Sequence, residues 1–397
     1  MSENATTLLV VDDEPSIADA LAAMLRAPSR TVVVAYDVDA AEMAAERFAL
    51  THVIADIQFS RFLGFEGIRL LDRLLAHRPA ARIVTMTGYP SRTLRAAATA
   101  RGVAGFVEKP CAIADLRDAL GLPEDEVEGA GNLLRIPPVE ELIASITPYF
   151  QPIVSIGSGA IFGFEALARI EGGWALETPQ ALFEYASRQK RIVELNRACI
   201  ERALAAAREL PESARIFVNV DGPALCAAGF IDSFDSAPVD LSRVVVEISE
   251  SFAIHDEGRA YEAVAALRRR GIAVAFDDIG EAYSHFPLIA GIQPEFVKIS
   301  HRMGSGFERN ASQRRLLAGI VAFAGAIGST VVLEGIETPA TAAAAHQLGI
   351  ELVQGYWFGR PSRVEEWSVD RDKPAAHGAA GHDPARLSLP SLALIAS

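Results

Sequence analysis

Two groups of residues in this 397-residue chain have the types and spacing to handle phosphate. In the first, Asp12 and Asp13 follow the apolar run LLVV, Asp56 follows HVIA, Thr87 ends RIVTMT, and Lys109 with Pro110 follows GFVE. Three carboxylates brought together repel one another unless a hard cation lies between them, and Mg2+ takes such oxygen ligands. The cation and Lys109 would then offset the charge of a phosphoryl group carried on Asp56. In the second group, Glu165, Asn219, Glu247, the pair Asp277 and Asp278, Lys298, Glu334 and Gln354 all lie at or near the ends of short apolar runs. An acidic cluster repels a phosphodiester until metal is bound. An oxygen-rich set with one carboxamide suits Mg2+ or Mn2+, and two ions about 4 Å apart clamp the attacking and leaving oxygens of an in-line displacement. Any one of these acids is explained as readily by a helix cap or by pairing with the segment Arg268 to Arg270. The joint pattern is not.

The elements that must position these residues are legible from periodicity. From Leu8 to Pro110, runs such as TVVVA and HVIAD alternate with helical stripes such as Ile17, Ala20, Leu21, Met24 and Leu25. This alternation predicts a doubly wound α/β parallel sheet, whose ligand crevice lies at the strand C-termini. All five points of the first group fall there. Over GLPEDEVEGAGNLLRIPP the periodicity stops, which predicts a linker at 123–138, partly ordered by Leu133, Leu134 and Ile136. Beyond it, YFQPIVS, IFGFEALAR, RIFVNVD, RVVVEISE, AVAFDDIG, EFVKIS, TVVLEGIE and LVQGYWFG are strand candidates, most of them separated by helix-length segments. That is the layout of a (β/α)8 barrel, which builds its site at the C-terminal rim. Period-2 alternation places Phe217, Asn219 and Asp221 on one face. The expected division is 1–122 for the first domain, 139–371 for the second, and 372–397 for a tail.

Composition narrows the function classes. A net charge of −14 without a basic block argues against nucleic-acid binding. Cys111, Cys199 and Cys226 form no CxxC pair and read as buried thiols in a reducing compartment. MSENATT lacks the features of a secretory leader, and no run reaches the roughly 18 apolar residues of a membrane span. A soluble protein of the cytoplasm is expected.

With an acidic pair, a following Asp, a Thr and a Lys-Pro in order, the N-terminal part resembles the response-regulator receiver family. The resemblance implies phosphorylation of Asp56 by a cognate histidine kinase, and one Mg2+ held by Asp12, Asp13, Asp56 and the backbone carbonyl of Gln58. It also implies phosphoryl contacts from Thr87 and Lys109, and a switch aromatic at Phe106. Ser60 stands where the family has Pro, and the next match to the family's Gly is Gly67, so a longer loop is expected beside the site.

From about Glu140 to Pro361 the chain resembles the EAL family of cyclic di-GMP phosphodiesterases. The motif is Glu165-Ala166-Leu167 with Arg169, and Gln151-Pro152-Ile153, Asp277-Asp278, Glu334-Gly335 and Gln354-Gly355-Tyr356 match other blocks. The resemblance implies a TIM-barrel-like fold and hydrolysis of cyclic di-GMP to linear pGpG. Glu165, Asn219, Glu247 and Asp277 would ligate one of two ions, Mg2+ or Mn2+, and Asp277 and Asp278 the other. Lys298 and Glu334 would orient or activate water, Arg169 would hold a phosphate, and Gln151, Leu167, Asp278 and Gln354 would contact substrate. Glu250 would brace the loop after Asp278, and a homo-oligomer, a dimer or higher, is implied. Two departures stand out. That loop reads Asp278-Ile279-Gly280-Glu281-Ala282, with Ala at the family's second Gly, and Ser300 replaces an Asp. Low or conditional activity is therefore expected. A catalytically silent cyclic di-GMP receptor acting through protein partners is the alternative, and a protein-only adaptor is a weaker third.

Overall fold

The computed structural model describes residues 6–57, 66–88, 92–123, 131–172, 175–176, 178–249, 257–280 and 286–367. The chain divides into two units, residues 1–145 with 170–191, and residues 146–169 with 192–397. Gln58, Ser60, Glu250, Glu281, Ala282 and the expected tail lie outside the described residues.

In the first unit, β1 (Thr6–Val11), β2 (Arg30–Ala35), β3 (His52–Asp56), β4 (Arg82–Thr87) and β5 (Gly105–Glu108) alternate with helices α1 (Pro15–Met24), α2 (Val38–Arg47), α3 (Glu66–His77), α4 (Arg92–Ala100) and α5 (Ile113–Leu120). With β6 (Asn132–Ile136) they form one sheet in the order β5-β4-β3-β1-β2-β6, with every pair parallel. Leu8, Val10, Val32, Val34, Ile54 and Val84 are fully buried in its core, each side chain stabilising by roughly 1.5–3 kcal/mol. Because β1 is central and the order reverses there, the ends of β1 and β3 open onto the crevice of a doubly wound sheet.

Strand β6 falls in the segment expected to be a linker. An edge strand offers a row of unpaired backbone groups, and NLLRI has the apolar residues to cover them on β2. Register runs from Thr31 against Asn132 to Ala35 against Ile136. Leu133 joins the core and Ile136 is fully buried. Arg26 donates to the Gly131 carbonyl, and Arg135 pairs with Asp19 at 2.8 Å. The helices α6 (Val139–Ala144) and α7 (Pro179–Arg188) complete the first unit.

In the second unit, each of the eight strand candidates becomes a strand: β7 (Ile146–Ser155), β8 (Ile161–Ile170), β9 (Arg215–Val220), β10 (Val244–Ser249), β11 (Ala273–Ile279), β12 (Phe296–Ile299), β13 (Thr330–Leu333) and β14 (Leu352–Gln354). They close a barrel in which β7 runs antiparallel to β14, whereas the other paired strands with a resolved register are parallel. A two-layer pattern fills its interior. Ile153, Phe217, Val245, Ala275, Phe296, Val332 and Leu352 form one apolar cluster, with Phe217 and Phe296 edge to face at 5.2 Å. With a period of two, the next residue inward on each parallel strand is polar: Asn219, Glu247, Asp277, Lys298, Glu334 and Gln354. On β7 the direction is reversed, so the polar residue at the same rim is Gln151, two places before Ile153. Helix α8 (Ile192–Ala206) packs outside.

The three cysteines are half-buried rather than buried, and none is bridged. Among the described residues no helix is long and apolar enough to cross a membrane.

Candidate active site

Two acidic sites result, one in each unit. In the first, Asp12 and Asp56 are buried at the ends of β1 and β3, and Asp12, Asp13 and Asp56 bring carboxylate oxygens within 4.8 Å of one another. Lys109 reaches in from the end of β5 and donates to Asp12 Oδ2 and Asp56 Oδ2, each at 2.6 Å. Burial raises the pKa of Asp12 more than Lys109 lowers it. For Lys109 itself, burial acts downward, but its bonds to the two aspartates outweigh it and hold the ammonium above the usual lysine range. Thr87 is fully buried beside them at the end of β4. Phe106 is half-buried, with the Arg95 guanidinium 4.6 Å above its ring and Arg95 paired to Glu108 at 2.6 Å.

The barrel rim is built around Lys298. Its ammonium, fully buried, lies 2.8 Å from Glu247, 2.9 Å from Glu334, 3.2 Å from Glu165 and 3.5 Å from Asp277. One cation thus faces four carboxylates. Glu165 is held on both oxygens, by Asn219 Nδ2 at 3.0 Å and by Gln354 Nε2 at 2.6 Å. Gln354 Nε2 also donates to Gln151 Oε1 at 3.0 Å, and Gln151 donates to the Gly359 carbonyl. For Glu165, burial is outweighed by Lys298 and these amides, so its pKa falls. For Glu247, burial and then the charge of Glu165 push it well above the carboxylate range, and for Asp277 burial acts in the same direction. Glu334 rises to about 7, chiefly through burial. Lys298 stays protonated, because the surrounding acids outweigh its burial.

Above this floor lies a cavity of about 400 Å3, lined by Gln151, Glu165, Leu167, Asp277, Asp278 and Glu334 among others. Asp277, Asp278 and Glu334 bring oxygens within 4.8 Å of one another. Asp278 sits at φ +59, a conformation that is uncommon outside glycine, and its N–H donates to Asp277 Oδ1 at 2.9 Å. Arg169, on the same face of β8 as Glu165 and Leu167, donates to the Ala168 carbonyl. His301 and Glu337 also line the cavity, and neither was marked by the sequence. Both come one or more residues past a strand end, where strand periodicity gives no signal. The placement of His301 depends on glycine: a Cβ on Gly335, at φ +76, would lie 2.4 Å from His301 Nδ1.

The residues fit divalent cations. The donors are oxygens, and Lys298 is the one cation that Glu247, a buried carboxylate, faces among the described residues. Four buried carboxylates around a single ammonium leave negative charge that a divalent cation would offset.

Fold and site together define a protein of two α/β modules, each gathering acidic oxygens at its strand C-termini. The model of the EAL domain matches residues 141–361, more than half of the chain, and that of the response regulator receiver domain matches residues 8–121. The chain belongs to the EAL domain family and carries a receiver domain ahead of the EAL domain. The probable cyclic di-GMP phosphodiesterase PdeG of Escherichia coli (strain K12) is 26% identical over 230 residues, covering 54% of this chain and 44% of that protein. The bifunctional diguanylate cyclase/cyclic di-GMP phosphodiesterase MucR of Pseudomonas aeruginosa is 26% identical over 227 residues, covering 55% and 33%. The chain thus spans less than half the length of these curated relatives. Among solved structures, a calcium/cy-diGMP complex of Klebsiella pneumoniae BlrP1 superimposes with a TM-score of 0.51 at 26% identity, covering 55% of this chain and 56% of that one. A manganese/cy-diGMP complex of the same protein matches equally.

Proposed function

We propose that this chain is a response regulator that hydrolyses cyclic di-GMP to linear pGpG in the cytoplasm, with two divalent cations at the barrel rim and its rate set by phosphorylation of Asp56. The observation that carries the reading is the convergence of Glu165, Glu247, Asp277 and Glu334 on one buried lysine. Relatives described as cyclic di-GMP phosphodiesterases, and a relative crystallised with calcium or manganese and the dinucleotide, support it.

Mg2+ or Mn2+ held by Glu165, Asn219, Glu247, Asp277 and Asp278 would supply the positive charge that an anionic phosphodiester and its entering and leaving oxygens require. The chain's own residues do the rest. Asn219 and Gln354 fix both oxygens of Glu165, so the acid cannot rotate. Arg169 binds a substrate phosphate, and Gln151, Leu167 and Gln354 line the dinucleotide's path. Lys298 and Glu334 orient the attacking water, and the Glu334 carboxylate takes up its proton while the water oxygen bonds to phosphorus and one P–O3′ bond breaks. The departing 3′ oxygen takes up a proton, opening the ring to a linear product with a 5′ phosphate. In the receiver, Asp12, Asp13, Asp56 and the Gln58 carbonyl would hold one Mg2+, with Thr87 and Lys109 on the phosphoryl group and Phe106 as the switch. A histidine kinase is the phosphodonor, and a homo-oligomer is the assembly.

One feature favours a receptor without turnover. Ser300, where the family has Asp, is buried and its hydroxyl has no hydrogen-bond partner among the described residues, so the rim has one acid fewer. Turnover separates the two readings. Purified protein with Mg2+ or Mn2+ should release pGpG, and Glu165→Ala should abolish this while leaving the fold intact by circular dichroism. A wild type that binds the dinucleotide without releasing product would leave only the receptor reading.

A further inference from the structure

The matched EAL segment includes residues 170–191, yet these residues belong with the receiver in the first unit. The chain leaves the barrel immediately after Arg169, the residue proposed to bind substrate phosphate, and returns at Ile192. Within the first unit, α7 packs on α2 of the receiver. The fully buried Tyr185 donates its hydroxyl to Asp37 Oδ2 at 2.5 Å. Asp37 Oδ1 meanwhile accepts from Ala40 N–H at 2.7 Å as the N-cap of α2, so a single carboxylate both starts α2 and holds α7. Around it, Gln189 donates to Asp39, Arg188 pairs with Glu46 at 2.8 Å, and Arg47 pairs with Glu184 at 2.6 Å.

Magnitudes decide which of these contacts matters. The ion pairs are partly exposed and screened, whereas the Tyr185 ring is fully buried, its bond is part-buried and its acceptor is charged. We propose that Tyr185 is a positioning residue for substrate binding: its bond to Asp37 ties the segment that follows the EAL strand to the receiver and thereby sets the place of Arg169. This rests on the phosphodiesterase reading given above.

The test uses the full chain with Tyr185→Phe, which removes only the hydroxyl, with Asp37→Asn, which can still cap α2 and accept from Tyr185, and with both changes. Readouts are KM and kcat for cyclic di-GMP with Mn2+, its Kd with Ca2+, and hydrogen exchange of amides 179–188. A charge-assisted hydrogen bond is worth on the order of tenfold in an equilibrium. Tyr185→Phe should therefore speed exchange by about that factor and raise KM several-fold, with kcat held within about twofold. Asp37→Asn should lie nearer wild type, and the double variant should match Tyr185→Phe. Faster exchange with unchanged KM and Kd overturns the proposal, since the tie is then only structural; so do a fall in kcat at constant KM, additive effects in the double variant, and an unaltered Tyr185→Phe protein. If the wild type binds but does not turn over, the same shift read in Kd supports the positioning role while the hydrolytic reading falls. If it neither binds nor turns over, both fall. An active wild type with indistinguishable variants removes the positioning role alone.

Discussion

Lys298 holds the rim's carboxylates together. A buried ammonium among four carboxylates offsets one negative charge, and burial first, then the neighbouring acids, hold Glu247, Asp277 and Glu334 above the usual carboxylate range. Removing one partner of a buried charge cluster costs about 3–5 kcal/mol, because the others are left uncompensated. In chelator, Lys298→Met should lower the barrel's thermal midpoint, and Mn2+ should raise that midpoint more than it does in wild type. An unchanged midpoint in chelator would show that Lys298 carries no such charge role. The identities of the rim residues were readable from sequence, because each is the polar residue one period beyond an apolar strand position. That Lys298 is their centre was not, since it depends on the register of several strands at once. His301 and Glu337 escaped for a related reason: loop residues follow no period.

At the scale of elements, the barrel's apolar layer fixes the height at which the polar layer sits. Phe217 lies edge to face with Phe296 and 6.4 Å from Phe162, directly below Asn219 on its strand. Phe217→Ala should cost about 3–5 kcal/mol, as large-to-small core changes do. Urea unfolding followed through Trp357 and Trp367, which pack on the barrel core, measures it, and an unshifted midpoint would contradict the layered account. All eight barrel strands were legible as apolar runs. The antiparallel course of β7 was not, because a strand's direction is written in its partners rather than in its residues, and only that course explains why Gln151 precedes Ile153 at the rim. Strand β6 was half legible: Leu133, Leu134 and Ile136 announced an apolar stretch, but the β2 edge that takes it up is a tertiary fact.

At the scale of the molecule, the receiver and EAL sites are both acidic, and each gathers carboxylate oxygens at its strand ends. The receiver crevice already places Lys109 against Asp56, so a phosphoryl group there must displace or share that contact. The most direct measurement of the whole account is the initial rate of pGpG formation from cyclic di-GMP by the full chain with Mn2+, before and after phosphorylation by a small-molecule phosphodonor, alongside Asp56→Asn. The account predicts turnover in all samples, a changed rate in phosphorylated wild type, and no response in Asp56→Asn. Dinucleotide binding without any turnover, or a wild-type rate that phosphorylation leaves unmoved, would contradict it.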